Sequence, residues 1–464
     1  MKKTALILLS AMLLIVGAFA SGCGNPSGNG NFDFEDLDPD TKVTISFMHM
    51  WPEHEATINT LISSFTKKHP NITVNVSNVP YNHMEDVLQA AYINNALPNV
   101  YVFFTHYMTP LVSSSDGVMA GALNKLYDEI AGDFIQPDSW EMGKINGNYY
   151  SVPFRATAEM VFYNKTVFAQ KGWTKPETFE QFNALLSAIK TDGAYTPLAA
   201  AGKEDQIIYL INAMSLFTAV LDGSVDEAGY KLGRLEPNVS DDTGVKIYEK
   251  VKGWVDADYF GKGAIALSKT GAIREFTSGN AAMVFANVNN VGEITSITDD
   301  EIGAFAIPAP QAIADEVKYV YGGYDGLSFN PGASENQKKA SIMLIRHLVG
   351  KESQQILADR AQSIVVHKET VYNNPTYAAF AEEAKYVGAY STGTDYITGT
   401  HSAGNASIVT TYLSGTAGVS AARIIELINE NVLADMQDPL INNPVVGWYP
   451  RANPAKEYDK SWLN

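Results

Sequence analysis

The residues that could do covalent chemistry are few and poorly placed. Ser64-Phe65-Thr66-Lys67 and Ser187-Ala188-Ile189-Lys190 both fit the Ser-x-x-Lys pattern of an acylating serine, and Lys269-Thr270-Gly271 fits a second piece of that set. Both serines fall late in helix-periodic segments, and the third piece, Ser-Asp-Asn, does not occur. There is no nucleophile elbow, phosphate loop or dinucleotide fingerprint. Glycoside hydrolysis needs only two carboxylates at a set separation, and 51 Asp+Glu leave a chance pair open. The eight His are scattered. Met48-His49-Met50 offers copper-type donors, but neighbours on a strand point to opposite faces. The same alternation parts Tyr149 from Tyr150, which as a pair could hold iron. A single cysteine, Cys23, excludes an intrachain disulfide and a Cys-based metal site. No cofactor is implied.

The position of Cys23 gives it another use. Lys2 and Lys3 precede an apolar run from Ala5 to Ala20, too short to cross a bilayer comfortably. Ala20-Ser21-Gly22-Cys23 resembles a bacterial lipobox, with Ala20 where Leu is usual. Residues 1–22 then read as a lipoprotein signal peptide and Cys23 as the lipid attachment, holding the mature chain to the outer face of the cell membrane. Residues 23–41 are rich in Gly, Asn, Ser and acid, without apolar period, and read as a flexible linker. The formal net charge of −18, with no Lys/Arg stripe, argues against nucleic acid. At 464 residues, two lobes are expected rather than one core.

The elements that must position a site follow from periodicity. Val43, Ile45 and Phe47 alternate as a strand; Ile58, Leu61, Ile62 and Phe65 have helical spacing and run into Lys67-Lys68-His69-Pro70, a helix stop. Ile72, Val74 and Val76 make a second strand, Met84, Val87, Leu88 and Ala91 a helix, and Val100 to Phe104 a strand buried on both faces. This is a doubly wound α/β half, whose ligands sit beyond the C-terminal strand ends. Val152-Pro153 interrupts the pattern. A second α/β region follows, with strands near Met160–Tyr163 and Ala281–Ala286 and helices near Thr178–Lys190 and Ile207–Leu221. Ile307-Pro308-Ala309-Pro310 and Ile364–Val366 read as further crossings, and the C-terminal part as largely helical.

Several segments together resemble the extracellular solute-binding protein family 1, the carbohydrate-type receptors of bacterial ABC importers. They are Val43–Trp51, Phe65–Val74, Ile145–Pro153, Phe162–Phe168 with Lys171-Gly172-Trp173, Phe276–Met283, and Gly322-Gly323. Two departures stand out: Leu97-Pro98-Asn99-Val100 in place of Pro-Asp-Val, and Asn287–Asn290 where maltodextrin-type members carry aromatics. The resemblance implies a periplasmic-binding-protein-like α/β fold of two discontinuous lobes with a hinge and an inter-lobe ligand cleft. Residues 42–153 and 309–363 would form lobe 1, and 154–308 and 364–464 lobe 2. It implies a carbohydrate ligand, ABC permease subunits as partners and no catalysis. The rival readings are a receptor for a peptide or polyamine, a module reporting to a sensor kinase, and, remotely, a glycoside-active enzyme.

A sugar presents apolar C–H faces to aromatic rings and hydroxyls to carboxylates, amides and Arg. The ligand-contact candidates at expected strand ends are Trp51, Glu53, His54, Tyr81, His106, Arg155, Asp205, Asn289, Asp325 and His401. Trp51 leads, as the ring of the first loop. Glu53, His54 and Asp205 could instead cap helices. Asp325 follows glycines that allow close backbone approach. Glu159 could face either ligand or solvent. Trp448 and Tyr449 read as packing.

Overall fold

The computed structural model describes residues 36–463 apart from 52–53, 104–117, 136–138, 141–142, 146, 224–241, 298–300, 318–319, 361–362, 384–386, 389–403, 416–417 and 438–457. Cys23, Glu53, His106, His401, Trp448 and Tyr449 lie outside the described residues.

The opening half follows its periodicity. β1 (Val43–His49) buries Ile45, Phe47 and His49 on one face. The helix Glu55–Lys68 buries Ile58, Leu61, Ile62 and Phe65, one stripe at helical spacing, and ends on two lysines that suit its negative pole. β2 (Ile72–Asn78) returns parallel to β1; after the helix Tyr81–Ile93, β3 (Val100–Phe103), buried throughout, joins β1 on its other side. β4 (Lys144–Ile145) and β5 (Asn148–Tyr149) form a small hairpin.

Beyond them one long strand carries the chain from one core to the other. β6 (Val152–Asn164) pairs antiparallel with β8 (Ala281–Asn287), β9 (Ile302–Phe305), β10 (Val320–Phe329) and β11 (Ile364–Val365) along its length. β7 (Thr196–Ala199) lies parallel to β8, and β12 (Val387–Gly388) parallel to β10. The main path of the sheet is β2-β1-β3-β10-β6-β8-β7. Val152-Pro153, read in the sequence as an interruption, lies within β6. A register slip explains how the proline fits: Arg155 faces Asp325 and Pro153 faces Gly326, leaving Phe154 as the extra residue of a bulge. A proline has no N–H to give a ladder, and a bulge is where a strand tolerates that.

The apolar side chains of the described residues fall into three clusters: a first core, from Leu37 to Phe154 and again from Leu327 to Val366, and two beyond it that together make a second. The second is built around β6, β8 and β9 and the helices Phe179–Asp192 and Gln206–Leu221, with Val409 to Leu463 closing it. Ala309, Ile313 and Val317 pack in the second core, so the chain rejoins the first only within β10, beyond Pro308. Ile364 packs in the second core and Val365 in the first. The changeovers therefore sit side by side on β6, β10 and β11. The acidic segment read as flexible linker is docked at its end: Leu37 is buried in the first core and Asp36 pairs with Arg346. Among the described residues no helix is long and apolar enough to cross a membrane.

Candidate binding cleft between the two cores

The changeover is marked by a buried polar node. Asp325 Oδ2 accepts from Arg155 Nε at 2.7 Å and from Trp51 Nε1 at 3.0 Å. Arg155 Nη1 donates to Ser363 Oγ at 3.2 Å, and the guanidinium carbon lies 4.4 Å from the Trp51 ring centroid. His49 stacks on the same ring, 5.6 Å between centroids at 18°, and its Nδ1 accepts the Trp51 backbone N–H at 3.2 Å. Phe154, the bulged residue, is 5.4 Å away. The node thus links the end of β1, β6, β10 and the residue before β11.

Its electrostatics are those of charge kept from water. Burial pushes the Asp325 carboxyl up, and Arg155 and Trp51 pull it back. Burial first, then Arg155, lowers His49 to about 4; His54 is lowered to about 4 by burial, Arg155 and His49. Both imidazoles are neutral at neutral pH. Because His49 Nδ1 accepts a hydrogen bond, its proton sits on Nε2.

A second polar network lies further along β6. The buried Glu159 accepts from Gln206 Nε2 at 2.8 Å and Asn287 Nδ2 at 3.3 Å, with Lys269 Nζ at 3.8 Å. Gln206 Oε1 in turn accepts the Ala201 N–H at 3.0 Å, and Asn287 Oδ1 the Asn289 N–H at 3.0 Å. The side-chain oxygen of Asn289 is buried and has no protein partner. Asp205 stands at the N-cap of the helix Gln206–Leu221 with φ +62°, yet its side chain makes no capping bond. Burial raises its carboxyl, Lys269 opposes that, and Glu204 adds to it. A strained backbone and an unused carboxylate at one position are features of binding sites.

Residues 155, 157 and 159 alternate to one face of β6. Arg155 and Glu159 are buried, whereas Thr157 between them is partly open, as is Gly323 opposite it on β10. The candidate floor of a cleft is therefore Thr157 and Gly323, with the Arg155 node at one end and the Glu159 network at the other, ~13 Å apart along the strand. Gly322 lets the floor lie flat, since a Cβ there would fall 2.0 Å from the Thr157 carbonyl oxygen.

Of the sequence candidates, the structure brings Trp51, Arg155 and Asp325 into one node and sets Asp205 and Asn289 beside the other network. Trp51 is 2% exposed, not an open stacking platform, because Arg155 and His49 cover its ring. His54 occupies the N-cap position of Glu55–Lys68 without a side-chain capping bond. Tyr81 opens its helix; its side chain lies outside the described part. Sequence reasoning missed Gln206, Asn287, Lys269 and Ser363 as site residues. Gln206 gave no signal, its helix being read from Ile207, while Asn287 stood out only as a family departure and Lys269 only as part of an incomplete motif. Ser64 donates its hydroxyl to the Leu61 carbonyl at 2.8 Å and lies 2.7 Å from His347 Nε2.

Two polar networks flanking a partly open stretch between two cores make a candidate binding site, and comparison with known proteins gives the family. The family described as bacterial extracellular solute-binding protein matches residues 60–385, well over half of the chain. The chain belongs to that family. This solute-binding protein is 30% identical over 202 residues to the multiple sugar-binding protein of Streptococcus mutans; the match spans 42% of this chain and 45% of that relative. Among solved structures it resembles RafE of Streptococcus pneumoniae, known with raffinose, at 21% identity and a TM-score of 0.66 over 84% of this chain and 98% of that one. It also resembles UgpB of Mycobacterium tuberculosis in complex with glycerophosphocholine, at 16% identity and a TM-score of 0.66 over 85% and 98%. The solute-binding protein thus has the periplasmic-binding-protein-like fold.

Proposed function

We propose that this chain is the extracytoplasmic receptor of an ABC importer, that it captures a sugar or oligosaccharide between its two cores by hinge closure, and that it hands the sugar unchanged to the permease. The observation that carries this is the floor of β6, with polar networks at both ends and a partly open Thr157–Gly323 stretch between. The partly exposed Asp205, Asn287 and Asn289 stand where hydroxyls could meet them, and Asn287, already held by Glu159, would do so without first being ordered, which lowers the entropic cost of binding. The sugar-binding names of the Streptococcus mutans relative and of RafE support the ligand class. The lipobox-like Cys23 supports a lipid anchor on the outer membrane face.

A cationic solute such as a polyamine is the second reading, favoured by Glu159, Glu204 and Asp205 gathered around the single Lys269. A thermal-shift panel separates the two. A solute that binds only the native state stabilises it by RT ln(1 + [L]/Kd). Raffinose, malto-, xylo- and chito-oligosaccharides form one arm; spermidine and glycerophosphocholine form the others. A sugar should raise the melting temperature and be recovered intact by mass spectrometry. A shift with spermidine alone would move the assignment to the second reading, and sugar turnover would make the protein an enzyme.

A further inference from the structure

The changeover node has a property that solute capture does not require. Its members are nearly inaccessible: Trp51 is 2% exposed, Arg155 and Asp325 4% each, and Ser363 0%. They lie where β6, β10 and β11 pass from one core to the other, and any rotation between the cores turns about these residues. One carboxylate oxygen, on β10, accepts from Trp51 of the first core and from Arg155 of β6. Arg155 then reaches Ser363 at the third crossing. Charge-assisted hydrogen bonds shielded from water are strong and directional.

We infer that the Trp51–Asp325–Arg155–Ser363 chain is the pivot of the two lobes, and that Trp51 is a positioning residue that sets their angle through Asp325 rather than by touching the solute. The inference rests on the two-lobe closure just proposed, but not on the solute being a sugar. A pivot changes the ratio of open to closed forms and so scales the affinity for every solute by one factor. A contact residue changes affinities unequally.

Trp51→Phe keeps a ring against Phe154 and His49 but removes the Nε1 donor. Ser363→Ala removes the far end of the chain and leaves the ring untouched. Each is placed in full-length protein carrying Cys23→Ser, with dyes on cysteines introduced at Ser63 in the first lobe and Ser187 in the second, both exposed. Single-molecule energy transfer then gives the inter-lobe distance distribution without any solute. Both variants should shift the ratio of the distance populations by roughly ten- to a hundredfold, the size of one charge-assisted hydrogen bond. Affinities for whichever panel solutes bind should change by a common factor. An unchanged distribution in both variants, with or without a lower melting temperature, overturns the pivot and leaves the node a packing feature. Losses that differ between solutes overturn it too, and make Trp51 a contact. If no sugar binds, the carbohydrate reading fails while the solute-free distances still decide the pivot.

Discussion

Replacing Trp51 by alanine removes a ring wedged between Arg155, His49 and Phe154 and strips one donor from a buried carboxylate. The expected cost is about 3–5 kcal/mol of stability, read as a lower urea midpoint for the solute-free protein. An exposed stacking ring would leave that midpoint in place. Trp51, Arg155 and Asp325 were picked out in the sequence as contacts by the loop after the first strand, the Pro153 crossing and the glycine pair. That they satisfy one another was not, because residues 51 and 325 are joined only by the fold. Ser363 and Gln206 gave no signal, being ordinary polar residues until their partners are known. The imidazoles add a pH dependence. His49 and His54 are held near 4 when folded, below the ordinary value near 6.5, so the unfolded chain binds more protons between those limits. Their contribution to stability is present above pH ~6.5 and is lost as pH falls toward 4. Asp325, raised by burial, works in the opposite sense, since the folded state holds its proton longer. With the imidazoles of His49, His54, His347 and His367 lowered against the raised carboxyls of Asp205 and Asp325, urea midpoints should fall between pH 6.5 and 4.5, and His49→Gln should flatten that slope. A slope unchanged by His49→Gln would remove His49 as its source.

Elements with a clean period were legible; those whose burial comes from both sides were not. The opening strand–helix–strand–helix–strand matches β1 to β3 because each has one apolar face or is apolar throughout. β6 was seen only at Met160–Tyr163, since Pro153 looks like a break until the bulge opposite Gly326 is known. β10 was invisible as a strand: Gly322, Gly323 and Asp325 carry no β signal, and pairing with β3 and β6 is what makes them one. That dependence can be tested at Gly322. A Cβ there would meet the Thr157 carbonyl oxygen at 2.0 Å and Ala158 Cα at 2.9 Å, all backbone and unable to swing away. Gly322→Ala should push β10 from β6, lowering the melting temperature and abolishing solute-induced shifts. Retained binding at wild-type stability would show that the floor is less closely packed than described.

At the scale of the whole molecule, the sequence showed two α/β regions and the order of the crossings, because proline-rich stretches punctuate the chain. It placed the return to the first lobe at residue 309, whereas Ala309 to Val317 still pack with the second core. Periodicity names a face and not the partner it meets. The discontinuous first core also orders events in time. Its β3 lies beside β10, and Tyr101 bonds the Phe329 carbonyl across 228 positions of chain. Contacts that distant form slowly, because the loop between them must close first. Until residue 329 arrives, β3 has a bare edge able to recruit another chain. The second core, with the helix Phe179–Asp192 and β7 to β9 close together in sequence, can begin without it. In pulse-labelled hydrogen exchange during refolding, amides of Phe179–Asp192 should be protected before those of β3. Protection of both at the same moment would remove the order inferred from their separation along the chain.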